Sequence, residues 1–303
     1  MPVCAILLST YNGARFLDAL IASLAAQSET DWLLLWRDDG STDETVAVLE
    51  DWTQRLGPRC RRLTEPGGNL GVLRSFMTLL KGAQDFPHIA FADQDDIWLP
   101  DKLAWGLAAL RDVPEAVPAL YCARQVLVDE TLNRRGLSAP LLGPAAFPAS
   151  LTQNIATGNT VILNAAAIRL VAATTAPPET WHDWWCYLMV TAAGGRVLLD
   201  DRGVILYRQH GGNAVGAAGP PLQRAIAALR RGPGAFMTVF RANIRALQRD
   251  DRLLSPAARR DLSVVTKALS GGAAARLRAL RLPGLRRETL AQTALFRLWF
   301  LIG

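Results

Sequence analysis

An α/β fold, with a mostly parallel sheet covered by helices on both faces, is the class that this sequence predicts. Three observations carry it. Short continuous apolar runs recur through residues 1–110, each ends in a polar turn, and each turn opens a stretch with apolar residues at helical spacing. Strands that alternate with helices pair in parallel, because a crossover helix returns the chain to the starting edge of the sheet.

Residues 3–9 form the first such run and lead into Tyr11-Asn12-Gly13, after which 14–27 carries Phe16, Leu17, Leu20, Ile21 and Leu24 on one helical face. Residues 32–36 are continuously apolar and end in Asp38-Asp39-Gly40. Ser41-Thr42-Asp43-Glu44 then reads as a helix start for 45–56. A third unit spans 61–80, and a fourth strand at 88–93 precedes a helix opened by Pro100. Beyond Pro114 the pattern turns irregular and antiparallel, with apolar runs at 119–128, 160–163 and 197–207 and a helix-like 184–193. A helical extension follows, with stretches at 222–231, 234–249, 256–269 and 286–301.

With 303 residues, 50% of them hydrophobic and 20% charged, disorder and fibrous architectures are excluded. Apolar runs such as 3–8 and 298–302 fall far below the roughly 20 residues that a spanning helix needs. No charged and apolar leader with a small-residue cleavage site opens the chain, so it is expected to remain in the cytoplasm. Cys4, Cys60, Cys122 and Cys186 are widely spaced and read as buried free thiols rather than a zinc site or disulfides. The net charge of +6 is uneven: residues 1–219 hold 17 Lys and Arg against 23 Asp and Glu, and 220–303 hold 16 against 4. An acidic body, 1–219, and a basic helical region, 220–303, are therefore expected to meet near Gly219-Pro220-Pro221.

Ligands of such sheets bind outside the carboxyl ends of the strands. Thr10-Tyr11-Asn12, Asp38-Asp39-Gly40 and Asp93-Gln94-Asp95-Asp96 end three strands and should converge on one crevice. Neither a dinucleotide fingerprint nor a P-loop is present. Three carboxylates within four residues repel one another unless a cation neutralises them, and oxygen donors suit Mg2+ or Mn2+ bridging to a diphosphate. The plainer reading, a turn and helix cap leading to Pro100, competes most strongly for Asp96. Asp183, among Trp181, Trp184 and Trp185 at the head of a helix, sits in apolar surroundings that raise its proton affinity and suit a general base; a helix-capping aspartate is the alternative.

In order and spacing, Ser9-Thr10-Tyr11-Asn12-Gly13, Asp38-Asp39-Gly40-Ser41-Thr42-Asp43, Asn69-Leu70-Gly71 with Arg74, and Asp93-Gln94-Asp95-Asp96-Ile97-Trp98-Leu99-Pro100-Asp101-Lys102 resemble a known family. Gly158-Asn159-Thr160, Trp181-His182-Asp183-Trp184 and Tyr207-Arg208-Gln209-His210-Gly211-Gly212-Asn213 continue the match. The family is the family 2 glycosyltransferases of GT-A fold, and the wording at 93–98 is similar to its bacterial rhamnosyltransferase branch of surface-polysaccharide synthesis. The resemblance implies a donor site of Thr10, Tyr11, Asn12, Asp39, Asn69, Arg74, Asp93, Gln94 and Arg208, with Asp39 accepting from a pyrimidine N3–H. It implies an acceptor site of Gly158, Asn159 and Trp184, Asp183 as the base of an inverting transfer, and a metal, Mn2+ or Mg2+, on Asp93, Asp95 and His210.

The implied partners are a dTDP- or UDP-linked sugar and a glycan or lipid-linked glycan acceptor. For the basic region two readings stand, an anionic membrane surface at the inner face of the cell membrane and a homo-oligomer interface; no nucleic-acid recognition motif accompanies the charge. Two other functions compete. A sugar nucleotidyltransferase normally opens with a glycine-rich, Arg- or Lys-bearing loop, which Thr10-Tyr11-Asn12-Gly13 is not. The other is a non-catalytic, membrane-docked scaffold.

Overall fold

A computed structural model describes residues 1–64, 66–143, 145–210 and 232–303. The expected boundary at 219–221, the helix at 222–231 and Gly211-Gly212-Asn213 lie outside the described residues.

The chain runs β1 (Cys4–Thr10), α1 (Ala14–Ala25), β2 (Trp32–Asp38), α2 (Thr45–Leu56), β3 (Cys60–Arg62), α3 (Val72–Gly82), β4 (His88–Ala92), β5 (Ile97–Trp98) and α4 (Lys102–Leu110). It continues with β6 (Ala119–Val128), β7 (Arg134–Leu137), β8 (Ile162–Asn164), α5 (Ala165–Ala172), α6 (His182–Ala192) and β9 (Arg196–Arg208). The last four helices are α7 (Gly234–Arg249), α8 (Pro256–Ser270), α9 (Ala273–Ala279) and α10 (Leu290–Ile302).

One sheet holds the strands in the order β3-β2-β1-β4-β8-β6-β9-β5, with β7 on β6. Strands β3, β2, β1 and β4 are parallel, as the repeated strand-turn-helix pattern requires. From β8 onward the sheet is mixed: β8 runs antiparallel to β4 and to β6, whereas β6 and β9 are parallel. Because β1, β2 and β4 are parallel, their carboxyl ends and the loops that follow them lie at one edge of the sheet.

Both faces of the sheet are covered, and β1 explains why its sequence lacks alternation. Ala5 and Leu7 enter one apolar layer while Cys4, Ile6 and Leu8 enter the other, and all five are fully buried. Helices α1 and α4 line the second layer through Leu17, Leu20, Ile21, Leu24 and Leu103. Helices α3, α5 and α6 line the first.

The basic region shares that first layer. Met237, Phe240, Ile244, Leu262, Val265, Phe296 and Phe300 pack into one core with residues of α3, α5 and α6. The change in charge along the chain therefore marks a change of surface, not of core, because the inner faces of α7, α8 and α10 are largely apolar while most of their arginines are exposed. Helix α10 begins at 290 rather than 286 because the Thr289 side chain caps it by accepting from the Gln292 N–H. All four cysteines are buried and free, and burial pushes the Cys4 and Cys122 thiols up to about 12. Among the described residues no helix is long and apolar enough to cross a membrane.

Candidate active site

The turn after β2 is built by its own side chains. Asp38 accepts from the Gly40 and Ser41 N–H groups at 3.0 and 2.8 Å and from the Ser41 and Thr10 hydroxyls. Thr10 is consequently buried, and the exposed group at the end of β1 is Tyr11, 51% accessible. Asn12 stands in the left-handed region at φ 47°, and it binds across the crevice through its N–H to Ser41 Oγ and through its Oδ1 to the Thr42 N–H. Gln94 ties the acidic loop to the same turn, accepting from the Tyr11 N–H at 2.9 Å and donating to its carbonyl at 3.0 Å. A Cβ at Gly13 would lie 2.3 Å from Gln94 Oε1, so a larger residue there would displace the Gln94 amide from Tyr11. The three loops therefore meet, as their positions at strand ends require.

Asp39 is buried and already engaged. It accepts from Arg37 Nη1 and the Leu70 N–H on Oδ1, and from the Gly71 N–H on Oδ2. Arg37, also buried, donates further to the carbonyls of Pro66 and Gly68. A base contact of the kind the resemblance implies has only the remaining lone pair of Oδ2 available. In this structure Asp39 fastens the 66–71 loop beside the crevice. That loop leaves Asn69 exposed against Gly40, and Arg74, exposed on α3, makes no hydrogen bond or ion pair among the described residues.

The acidic loop follows β4. Asp93 is held at a pKa of about 7, chiefly by burial and then by the charges of Asp95 and Asp183, with Lys102 opposing. Asp95 Oδ2 and His210 Nε2 lie 2.7 Å apart. Among the described residues no three His, Cys, Asp or Glu side chains converge as a ready-made metal cage, so the expected set of Asp93, Asp95 and His210 is not assembled as a triad. The Asp95–His210 pair does fit a divalent ion whose remaining positions go to diphosphate and water: it pairs a carboxylate oxygen with an imidazole, beside carboxylates that repel one another. Arg208 departs from expectation. It is buried, its Nε donates to the Asp95 carbonyl and its Nη1 to the Glu130 carbonyl, so it braces the loop rather than opening onto a diphosphate.

Asp183 lies in the first turn of α6, not at its cap position, which is Trp181. Burial raises its carboxyl to a pKa of about 6, against the N–H groups of Trp184 and Gly158 and the Asn154 side chain, which favour the ionised form. The Gly158 N–H reaches Asp183 Oδ2 at 3.0 Å. Gly158 is confined as well: a Cβ there would stand 2.8 Å from His182 Nε2, and that ring is stacked 4.0 Å from Phe76.

Asn159 is not an open acceptor contact. It is fully buried, donating to Asp96 Oδ2 at 2.5 Å and accepting from Gln125 Nε2 at 2.9 Å. Trp184 is half-buried with its indole N–H on the Ser150 carbonyl, and Trp185 is core. The exposed aromatic beside Asp183 is Trp181, 40% accessible. Sequence reasoning placed no role on Arg37, Gln125 or Asn154 and gave Trp181 only a share in the apolar surroundings of Asp183; a charged residue closing an apolar run, as Arg37 closes 32–36, was the one signal for any of the first three.

The sequence model of glycosyl transferase family 2 matches residues 5–163. The chain is 26% identical over 220 residues to the dTDP-rhamnosyl transferase RfbG of Shigella flexneri, covering 69% of this chain and 74% of that protein. Its fold matches TarS residues 1–349 of S. aureus, in complex with UDP-GlcNAc, at a TM-score of 0.60 and 18% identity over 86% of this chain and 70% of that one. The mannosyltransferase PcManGT of Pyrobaculum calidifontis, in complex with GDP-Man and Mn2+, matches at 0.52 and 17% identity over 99% and 86% of the two chains. The GT-A fold is thus found in the structure, and with more than half of its residues inside the family match the chain belongs to glycosyl transferase family 2.

Proposed function

We propose that the chain transfers a sugar, rhamnose in the first instance, from a dTDP- or UDP-linked donor to a glycan or lipid-linked glycan of cell-surface polysaccharide synthesis, with inversion at the anomeric carbon. The observation that carries this reading is Asp183, a carboxylate held by the Gly158 N–H at 3.0 Å, raised in proton affinity by burial, and close enough to Asp93 of the acidic loop for its charge to be felt there. Asp183 takes the proton of the acceptor hydroxyl as that oxygen attacks the anomeric carbon, and the bond to the diphosphate breaks with its electron pair leaving on the nucleotide. Tyr11 and Asn69 are the open side chains for the nucleoside, Arg74 is free to meet the diphosphate, and Trp181 offers a flat face to the acceptor sugar. Asp95 and His210 would hold Mn2+ or Mg2+, which supplies positive charge to the departing diphosphate. The likeness to a dTDP-rhamnosyl transferase supports the choice of sugar.

Incubation of the purified protein with Mn2+ and dTDP-rhamnose, UDP-GlcNAc or GDP-mannose is expected to release nucleoside diphosphate from at least one of them. Pyrophosphate formed from a nucleoside triphosphate and a sugar phosphate would instead support nucleotidyl transfer, and binding without turnover would leave a scaffold.

The same reading places the protein at a membrane. Helix α10 buries Phe296 and Phe300 yet leaves Leu290, 91% accessible, Leu298 and Ile302 outside, and Arg276 of α9 donates to the carbonyls of Phe300 and Leu301. Exposed leucines on α10, with Arg278 of α9, Arg281 just after it and Arg297 of α10 also exposed, suit anionic lipid headgroups. Co-sedimentation with anionic vesicles is expected and should weaken as salt rises, while neutral vesicles should bind poorly. Equal binding to both, or none, would return these helices to a homo-oligomer interface.

A further inference from the structure

Lys102 takes no part in the reaction as described, yet it is fully buried, where lysine is rarely found. Its ammonium lies 2.9 Å from the centroid of the Trp98 indole and donates to the Asn159 carbonyl at 2.7 Å. Asn159 in turn donates to Asp96, and the preceding residue, Gly158, donates its N–H to Asp183. Two consecutive residues of one 3-10 turn, Gly158–Thr160, therefore hold both the acidic loop and the candidate base. The far end of the turn is pinned by the Thr160 hydroxyl, which donates to the Thr157 carbonyl at 2.8 Å and accepts from the Ala123 N–H at 3.3 Å. Its middle is pinned by Lys102 at the Asn159 carbonyl.

We propose that Lys102 is a positioning residue, whose hydrogen bond to the Asn159 carbonyl fixes the Gly158–Asn159 turn and with it the spacing between the acidic loop and Asp183. The inference rests on the glycosyl-transfer reading. It assigns the lysine to the geometry of the reaction rather than to donor binding. A misplacement of about 1 Å between a base and its target costs on the order of 10²-fold in rate, so a strut of this kind acts on turnover and not on affinity.

The test is a double-mutant cycle between Lys102→Met, which removes the donor but keeps an unbranched side chain one atom shorter, and Asp183→Asn. Turnover is read as nucleoside diphosphate released from whichever of dTDP-rhamnose, UDP-GlcNAc and GDP-mannose the wild type uses fastest. Affinity is read by calorimetry with the matching nucleoside diphosphate and Mn2+. Lys102→Met is expected to lower turnover about 10- to 100-fold in the wild-type background with affinity held within about threefold, and to lower it by less than about threefold when Asp183 is already Asn. Lys102→Gln, which keeps an amide donor, should recover part of the loss. Multiplicative losses, a parallel fall in affinity, or unchanged turnover would each overturn the assignment, as would failure of both variants to fold, since the lysine would then be a stability element. A wild type that turns over none of the three donors overturns the glycosyl-transfer reading together with the inference, whereas an active wild type with multiplicative losses removes only the inference.

Discussion

Asp183→Asn is expected to lower turnover by about 10²-fold or more while leaving nucleoside-diphosphate affinity within about twofold, because the amide fills the same space but cannot accept a proton near neutral pH. The wild-type rate should also fall about tenfold for each pH unit below about 6, where burial has raised the Asp183 carboxyl, and the variant should lose that limb of its profile. Stability gives an independent readout with the opposite sense. A carboxyl whose pKa is raised on folding binds its proton more tightly in the folded chain than in the unfolded one. Its contribution therefore favours folding in acid and is lost as pH rises through about 6. The variant, which has no ionisable group at 183, should accordingly melt higher relative to wild type at pH 7 than at pH 4. A collapse of nucleotide affinity along with turnover would make Asp183 a binding or structural residue instead.

Asp95→Ala is expected to abolish transfer and to remove the Mn2+-dependent rise in melting temperature that nucleoside diphosphate produces. Of the acidic loop it is the carboxylate whose side chain meets His210, at 2.7 Å, so its loss takes one of the two groups that suit a divalent ion. Chelation of divalent metal by EDTA should reproduce the effect in the wild type. Asp96→Ala acts differently, because Asp96 is fully buried on Asn159 and the Arg208 N–H: its first consequence should be lost stability, leaving the Asn159 amide without an acceptor. Retained activity of Asp95→Ala in EDTA would remove the metal from the mechanism.

The fold class, the strand-turn-helix order of residues 3–110 and the meeting of three polar loops were legible in the sequence because each follows from local periodicity and from the geometry of parallel strands. Beyond β4 the antiparallel pairings of β8 with β4 and β6 agree with the expected antiparallel second half, but the parallel match of β6 with β9 was not legible, since it joins residues about 80 positions apart and no local pattern records it. The charge change near residue 219 was equally plain, yet the chain's shared apolar core ignores it, because surface charge and inward packing are set by opposite faces of the same helices.

For the site, residue type and spacing pointed to candidate carboxylates and to one candidate histidine. Tertiary structure alone decided what each is free to do. Asp39, Arg208, Asn159 and Gln94 belong to the family-like motifs, but each already bonds the protein's own groups, while Tyr11, Arg74 and Trp181 are exposed. The reason is that a polar side chain taken from water must find a partner wherever the fold brings one, and those partners, such as the Gly71 N–H for Asp39 or the Asp95 carbonyl for Arg208, stand tens of residues away in sequence.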